Sequence, residues 1–227
     1  MIFDNISALL KRISHACIRA GRNPDEAYLV AVTKTVGIDE VREAFDAGLR
    51  VFGENRVQEA ADKIRHFKEY PGITWHFIGT LQKNKARKAV ELFNVIESVD
   101  SMELLEKIDT CAGQMGKVQG IFIQVKLSGE ESKHGIMVEN LSHLVQRAEE
   151  LDNVKLEGLM TIPPYYDDAD KVRPYFRRLR EIRDELQNTG HGVEGLSMGM
   201  SNDFEVAIEE GATHVRIGTA IFGERDY

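Results

Sequence analysis

Two apolar periods alternate along this chain. Residues 2 to 20 place Ile6, Leu9, Leu10, Ile13, Cys17 and Ala20 at helical spacing, and Gly21 and Pro24 end that helix. An almost unbroken aliphatic run follows, Tyr28-Leu-Val-Ala-Val-Thr-Lys34, whose β-branched Val30 and Val32 predict a strand buried on both faces. Gly37 then opens a helical pattern with Val41, Ala44, Phe45 and Gly48 on one face. The couplet repeats: Leu49 to Asn55 reads as a strand before a helix through Val57, Ala60, Ala61 and Ile64. Ile73 to Gly79 is a third strand before the basic helical stretch Gln82 to Leu92. Phe93 to Val99 is a fourth, and Asp100-Ser101 caps a helix with Leu104, Leu105, Ile108 and Cys111 inward. Gly120 to Leu127 is the fifth and longest apolar strand, leading into a polar loop, Ser128 to Gly135, and a helix through Leu141, Leu144, Val145 and Ala148. Leu156 to Ile162, stopped by Pro163-Pro164, precedes a long amphipathic helix over roughly Asp168 to Gln187. Gly195 to Ser201 and Thr213 to Gly218 are the seventh and eighth strands, with a short helix between them.

Eight strand–helix units follow one another without a Pro/Gly/Ser linker, low-complexity segment or break in composition. That pattern predicts an α/β fold, one (β/α)8 TIM barrel domain over residues 1–227 with an extra N-terminal helix. Little chain remains after Gly218, so the N-terminal helix is expected to stand in for the eighth outer helix.

Composition narrows the partners. A 42% apolar, 29% charged chain of net charge −8 is expected to be a globular protein and not a dedicated nucleic-acid binder. Met1-Ile-Phe-Asp4 lacks the basic start and apolar run of a secretory signal, and no apolar stretch approaches the roughly 18 residues of a membrane span. Cys17 and Cys111 each fall on an apolar helical face, as reduced core residues do. The seven histidines and two cysteines show no metal-ligand spacing. A cytoplasmic location without membrane or nucleic-acid partners is the expectation.

Lys34 ends the first strand, at the rim where β/α folds bind ligands. An amine flanked there by apolar wall loses hydration, which favours its neutral, nucleophilic form toward aldehydes; a lysine that snorkels into water is the plainer alternative. After the seventh strand come Gly199-Met200-Ser201-Asn202-Asp203, where Asn202 and Glu205 match a capping box and Gly199 permits close backbone approach. After the eighth come Gly218 and Thr219, opening another short helix. Loops after strands seven and eight commonly cradle a phosphate, with helix N–H groups as donors. Arg216 precedes Gly218 by two, so strand alternation turns it to the same rim. An aldehyde for Lys34, a phosphate for Ser201, Gly218 and Thr219, and a ring nitrogen for Arg216 together describe pyridoxal 5'-phosphate.

These stretches resemble the pyridoxal phosphate homeostasis protein family. The match runs through Ala31-Val-Thr-Lys-Thr35, Phe52-Gly-Glu-Asn55, Trp75-His-Phe-Ile-Gly79 with Gln82-Lys-Asn-Lys85, Ser132-Lys-His-Gly135, Gly158-Leu-Met160, Leu196-Ser-Met-Gly-Met-Ser201 and Val215 to Gly223. The resemblance implies a barrel like the N-terminal domain of alanine racemase, with the cofactor (PLP) as a Schiff base on Lys34. It also implies Asn55 near the ring, Arg216 on the pyridine nitrogen, and Ser201, with Met200 beside it, Gly218 and Thr219 at the phosphate. Many relatives have proline after the first-strand motif, where this chain has Gly37. Racemases of this fold take a tyrosine base from a second domain; with Tyr227 just after the eighth strand, no such domain and a monomer are expected. Family members are regarded as non-catalytic proteins of vitamin B6 homeostasis that buffer PLP and deliver it to apo-enzymes. Two alternatives stay open: a PLP-dependent amino-acid racemase, and a cofactor-free Schiff-base aldolase. His76 reads as a core histidine, Lys83, Lys85, Arg87 and Lys88 as a solvated face, and Lys133 and His134 as rim residues, Lys133 being a candidate second amine.

Overall fold

A computed structural model describes residues 1–130 and 133–224. Eight parallel strands close into a ring: β1 (Tyr28–Val32), β2 (Val51–Glu54), β3 (Thr74–Phe77), β4 (Val95–Val99), β5 (Gln119–Lys126), then, past the two-residue β6 (Ile136–Met137), β7 (Val154–Met160), β8 (Gly195–Ser197) and β9 (His214–Ile217). Pairing of β4 with β5 closes the barrel, and β6 adds to the end of β5 with Ile136 opposite Val125. That short strand is absent from the sequence reading because two residues carry no period.

The outer ring consists of α2 (Ile38–Asp46), α3 (Val57–His66), α4 (Ala86–Leu92), α5 (Met102–Gln114), α6 (Val138–Glu150), α7 (Arg173–Asn188), α8 (Phe204–Glu209) and the single turn α9 (Thr219–Phe222). The N-terminal helix α1 (Ile2–Arg19) packs on α2, α8 and α9, in the place expected for the eighth outer helix. It buries Ile2, Ile6, Leu9, Ile13, Ala16 and Cys17, and Asn5 Nδ2 donates to Ile221 O at 2.9 Å. Leu10 departs from the expectation: it lies 44% exposed, since the buried stripe is already filled by its neighbours one turn away. The basic stretch before the fourth strand is a 3-10 turn, Lys83–Lys85, and then α4, so Lys83 faces outward. Ser101 caps α5 as expected, accepting from Leu104 N.

Two apolar layers result. The larger lies between sheet and helices, where side chains such as Phe52, Phe67, Phe93 and Phe176 are fully buried, each contributing about 1.5–3 kcal/mol. The smaller, Val95, Phe122 and Met160, fills part of the barrel interior. Cys17 and Cys111 are buried and free. Among the described residues no helix is long and apolar enough to cross a membrane.

Candidate functional site

Strand β1 ends at Val32, and the chain turns sharply just beyond it. Thr35 has φ +59°, the left-handed region that a β-branched residue enters only at a cost of about 1–3 kcal/mol. The segment before it is clamped from behind. Glu54, on the outer side of β2, accepts from Thr33 Oγ1 at 2.7 Å and from Lys63 Nζ of α3 at 2.7 Å, while Lys63 Nζ also donates to Thr33 O at 2.5 Å. Both groups of this ion pair are buried. Alternation then sends Lys34 to the opposite side, into the mouth of the barrel.

Asn55 leaves β2 under Gly79, where any Cβ would overlap the Asn55 carbonyl; glycine is what lets the two strand exits touch. Asn55 Oδ1 is buried and has no hydrogen-bond partner among the described residues.

The loop after β8 turns at Gly199, φ +95°, where a Cβ would come within 2.5 Å of Ala207 Cβ. It is held by Asp203, whose Oδ1 accepts from Met200 N at 2.6 Å, and by Gly199 O, which accepts from Arg216 N at 2.9 Å. Burial pushes the Asp203 carboxyl up, against the pull of the Met200 N–H and the Arg216 charge. The expected capping box is not formed. Asp203 is the residue before α8, so Asn202 lies too early: its Nδ2 donates to Tyr165 OH at 3.2 Å, and Glu205 pairs with Arg12 of α1 at 3.1 Å. Gly218 precedes α9, and its carbonyl takes the N–H groups of Ile221 and Phe222, leaving Thr219 exposed at the rim.

Arg216 points inward from β9 and is almost wholly buried. Its Nη1 donates to Ser197 Oγ at 2.6 Å and its Nη2 to Thr161 O at 2.8 Å. His76 is a buried, hydrogen-bonded histidine of the interior, 2.6 Å from Glu97.

These strand ends enclose a cavity of about 1000 Å³, lined by Lys34, Asn55, Met200, Ser201, Arg216, Gly218 and Thr219 together. Lys133 and His134 reach the same rim, and the His134 carbonyl accepts from Gln124 Nε2 at 3.1 Å. Sequence reasoning missed Arg56, Gln124, Tyr165 and Tyr166 on this wall. Their one signal is position: Arg56, Tyr165 and Tyr166 sit just past the end of a predicted strand, and Gln124 lies within one. Lys88 instead pairs with Glu91 on the outer face. Among the described residues no cluster of side chains is suited to a metal ion.

The chain matches the family described as alanine racemase, N-terminal domain, over residues 5–226. The pyridoxal phosphate homeostasis protein of Aquifex aeolicus (strain VF5) is 49% identical over 225 residues, 99% of this chain and 98% of that protein. The protein of the same name in Escherichia coli (strain K12) is 41% identical over 230 residues, 100% of this chain and 97% of that one. This chain belongs to the pyridoxal phosphate homeostasis protein family. PipY of Synechococcus elongatus PCC7942, solved with PLP bound, superposes with a TM-score of 0.87 at 39% identity, covering 98% of this chain and 100% of PipY. In this homeostasis-family chain, most of the stretches that carry the resemblance contribute to the mouth: Ala31 to Thr35 through Lys34, Phe52 to Asn55 through Asn55, Trp75 to Gly79 through Ile78 and Gly79, Leu196 to Ser201 through Met200 and Ser201, and Val215 to Gly223 through Arg216, Gly218 and Thr219. Ser132, which opens the stretch through Lys133 and His134, and Tyr227 lie outside the described residues.

Proposed function

We propose that this chain is a non-catalytic, cytoplasmic PLP-binding protein of vitamin B6 homeostasis that holds the cofactor as a Schiff base on Lys34 and delivers it to apo-enzymes. One barrel domain, acting as a monomer, would suffice. The observation that carries this reading is the convergence of seven side chains and turns, from four strand exits, on one cavity. Their chemistry suits the cofactor group by group. Lys34 is the amine for the aldehyde; the Ser201 and Thr219 hydroxyls, with the main chain at Met200 and Gly218, suit the phosphate; Arg216 suits the ring nitrogen. Asn55, with a buried amide oxygen that has no partner among the described residues, presents a polar group to the ring edge. PipY, 39% identical, was solved with PLP bound.

When bound, PLP supplies an electrophilic aldehyde and an electron-withdrawing ring. Arg216 would weaken the second property: a guanidinium only donates, so beside the ring nitrogen it would favour the unprotonated form and a shallower electron sink. That supports a carrier over an enzyme. The runner-up, a PLP-dependent amino-acid racemase, draws support from Tyr165 and Tyr166 on the cavity wall, although their hydroxyls already face Asn202 and Tyr175.

Borohydride reduction of the PLP-loaded protein with peptide mapping tests the site. Pyridoxyl-phosphate on Lys34, absent from Lys34→Ala, is the expected result; an unmodified Lys34 at saturating PLP would overturn the reading and promote the cofactor-free aldolase. Transfer to an apo-enzyme faster than spontaneous release supports delivery, and solvent exchange of an amino acid's α-proton would replace the carrier with the racemase.

A further inference from the structure

A carboxylate lies deep inside the barrel, where the surrounding filling is apolar. Glu97, on β4, is fully buried near Val95, Phe122 and Met160. Its Oε1 is 2.6 Å from His76 Nδ1 on β3, and its Oε2 accepts from Ser197 Oγ on β8 at 2.5 Å. Ser197 Oγ in turn accepts from Arg216 Nη1 at 2.6 Å. The direct distance from Glu97 Oε2 to Arg216 Nη1 is 3.8 Å, too long for a hydrogen bond, so the hydroxyl is the link. Donor and acceptor roles are forced. A guanidinium has only donors and an ionised carboxylate only acceptors, so the single Ser197 proton goes to Glu97. Burial alone would raise the Glu97 carboxyl, but the hydrogen bond and charge of His76 and the charge of Arg216 hold it down to about 2, so it carries its charge at neutral pH.

We propose that Glu97, acting through Ser197, is the positioning residue that orients the Arg216 guanidinium toward the mouth and balances its charge. This rests on the reading of the mouth as a PLP site. Arg216 is anchored on one side by Thr161 O and on the other by the Ser197–Glu97 relay, and it lines the cavity with what remains. The donor that faces the cofactor ring is therefore set by β4 and β8, and Glu97 tunes the electronics of a ring it never touches.

The variants are Glu97→Gln, which keeps the shape and removes the charge, Ser197→Ala, which removes the relay, and Ser197→Thr, which restores a hydroxyl. With PLP-loaded protein, the first two should move the absorption maximum of the bound cofactor in the direction that Arg216→Gln moves it, and weaken PLP retention roughly tenfold or more. Adding Glu97→Gln to Arg216→Gln should move the band no further, and Ser197→Thr should return it toward the wild type. In the cofactor-free protein, the Arg216 guanidinium N–H resonances should shift and exchange faster in Glu97→Gln and Ser197→Ala. Variants that lower the melting temperature but leave both the band and those resonances at wild-type positions would overturn the proposal. Should Glu97→Gln fail to fold, Ser197→Ala and Ser197→Thr decide it. Should the wild type take up no PLP, the site reading fails while the Arg216 resonances still decide whether Glu97 positions the guanidinium.

Discussion

At the carboxyl ends of the strands, an amine, an amide, two hydroxyls and a guanidinium surround a cavity of about 1000 Å³; at the amino ends, Tyr28, Phe122 and His214 border one of about 450 Å³. The same eight strands make both ends, so the difference comes from what the chain does on leaving them. At the mouth most polar side chains lie past the last ladder bond, on turns held by Thr35, Gly79 and Gly199, and can face a ligand without breaking the sheet. At the floor the groups still sit on strands. Gly120 leaves room for the Glu157 side chain, Gly195 for the Phe122 ring and Gly158 for the Gly195 backbone, and His214 is packed against Tyr28, His76 and Phe122 rings at 5.4, 6.0 and 5.2 Å. A barrel of this kind binds at one end and braces at the other.

The contrast breaks most sharply at Lys34. Lys34→Ala should abolish the borohydride-trapped adduct while changing unfolding free energy by less than about 1 kcal/mol, as read by mass mapping and urea titration. Next comes the clamp behind it. Lys63→Met leaves Glu54 buried without its cation and should cost about 3–5 kcal/mol in urea unfolding, along with slower adduct formation at Lys34.

The floor should answer to acid instead. Burial, with the charges of His76 and Arg216, lowers His214 to about 4, against the partial rescue of Glu97. Its folded value lies below the unfolded one, so the unfolded chain binds the extra proton as pH falls through 6.5, and stability is lost from there down to about 4. The ring edge opens on the floor cavity, which caps the loss at about 3 kcal/mol; His214→Phe should flatten the melting temperature across that window. Gly195→Ala, whose Cβ would press on Glu157 O and the Phe122 ring at 2.8 Å, should cost about 1–3 kcal/mol and leave the PLP absorption band in place. Lys88→Ala, which removes an exposed pair with Glu91, should change stability by less than about 0.5 kcal/mol.

The mouth was legible in the sequence because its residues sit where apolar runs stop. Lys34, Ser201 and Thr219 each follow a run, and Arg216 is turned inward by counting back two from Gly218. What brings Glu97, His76 and Ser197 together was not legible: they come from three strands, and only the closure and stagger of the barrel makes them neighbours. The Glu54–Lys63 pair was hidden for a related reason, because a lysine at helical spacing reads as solvent-facing until its α3 neighbour strand is known. The Asn202–Glu205 spacing misled because the cap position depends on where the loop after Gly199 ends, one residue later than the pattern assumes.

The seat of α1 makes the order of synthesis matter. Ile2, Ile6, Leu9 and Ile13 are made well before their cover on α8 and α9, which lies about two hundred residues further along the chain; Asn5 and Ile221, which bond, are separated by 216 positions. At a translation rate of about 5–20 residues per second, that apolar stripe waits on the order of 10–40 s for most of its partners. For that interval the stripe of α1 has α2 to lie against but not yet α8 and α9, which complete its cover.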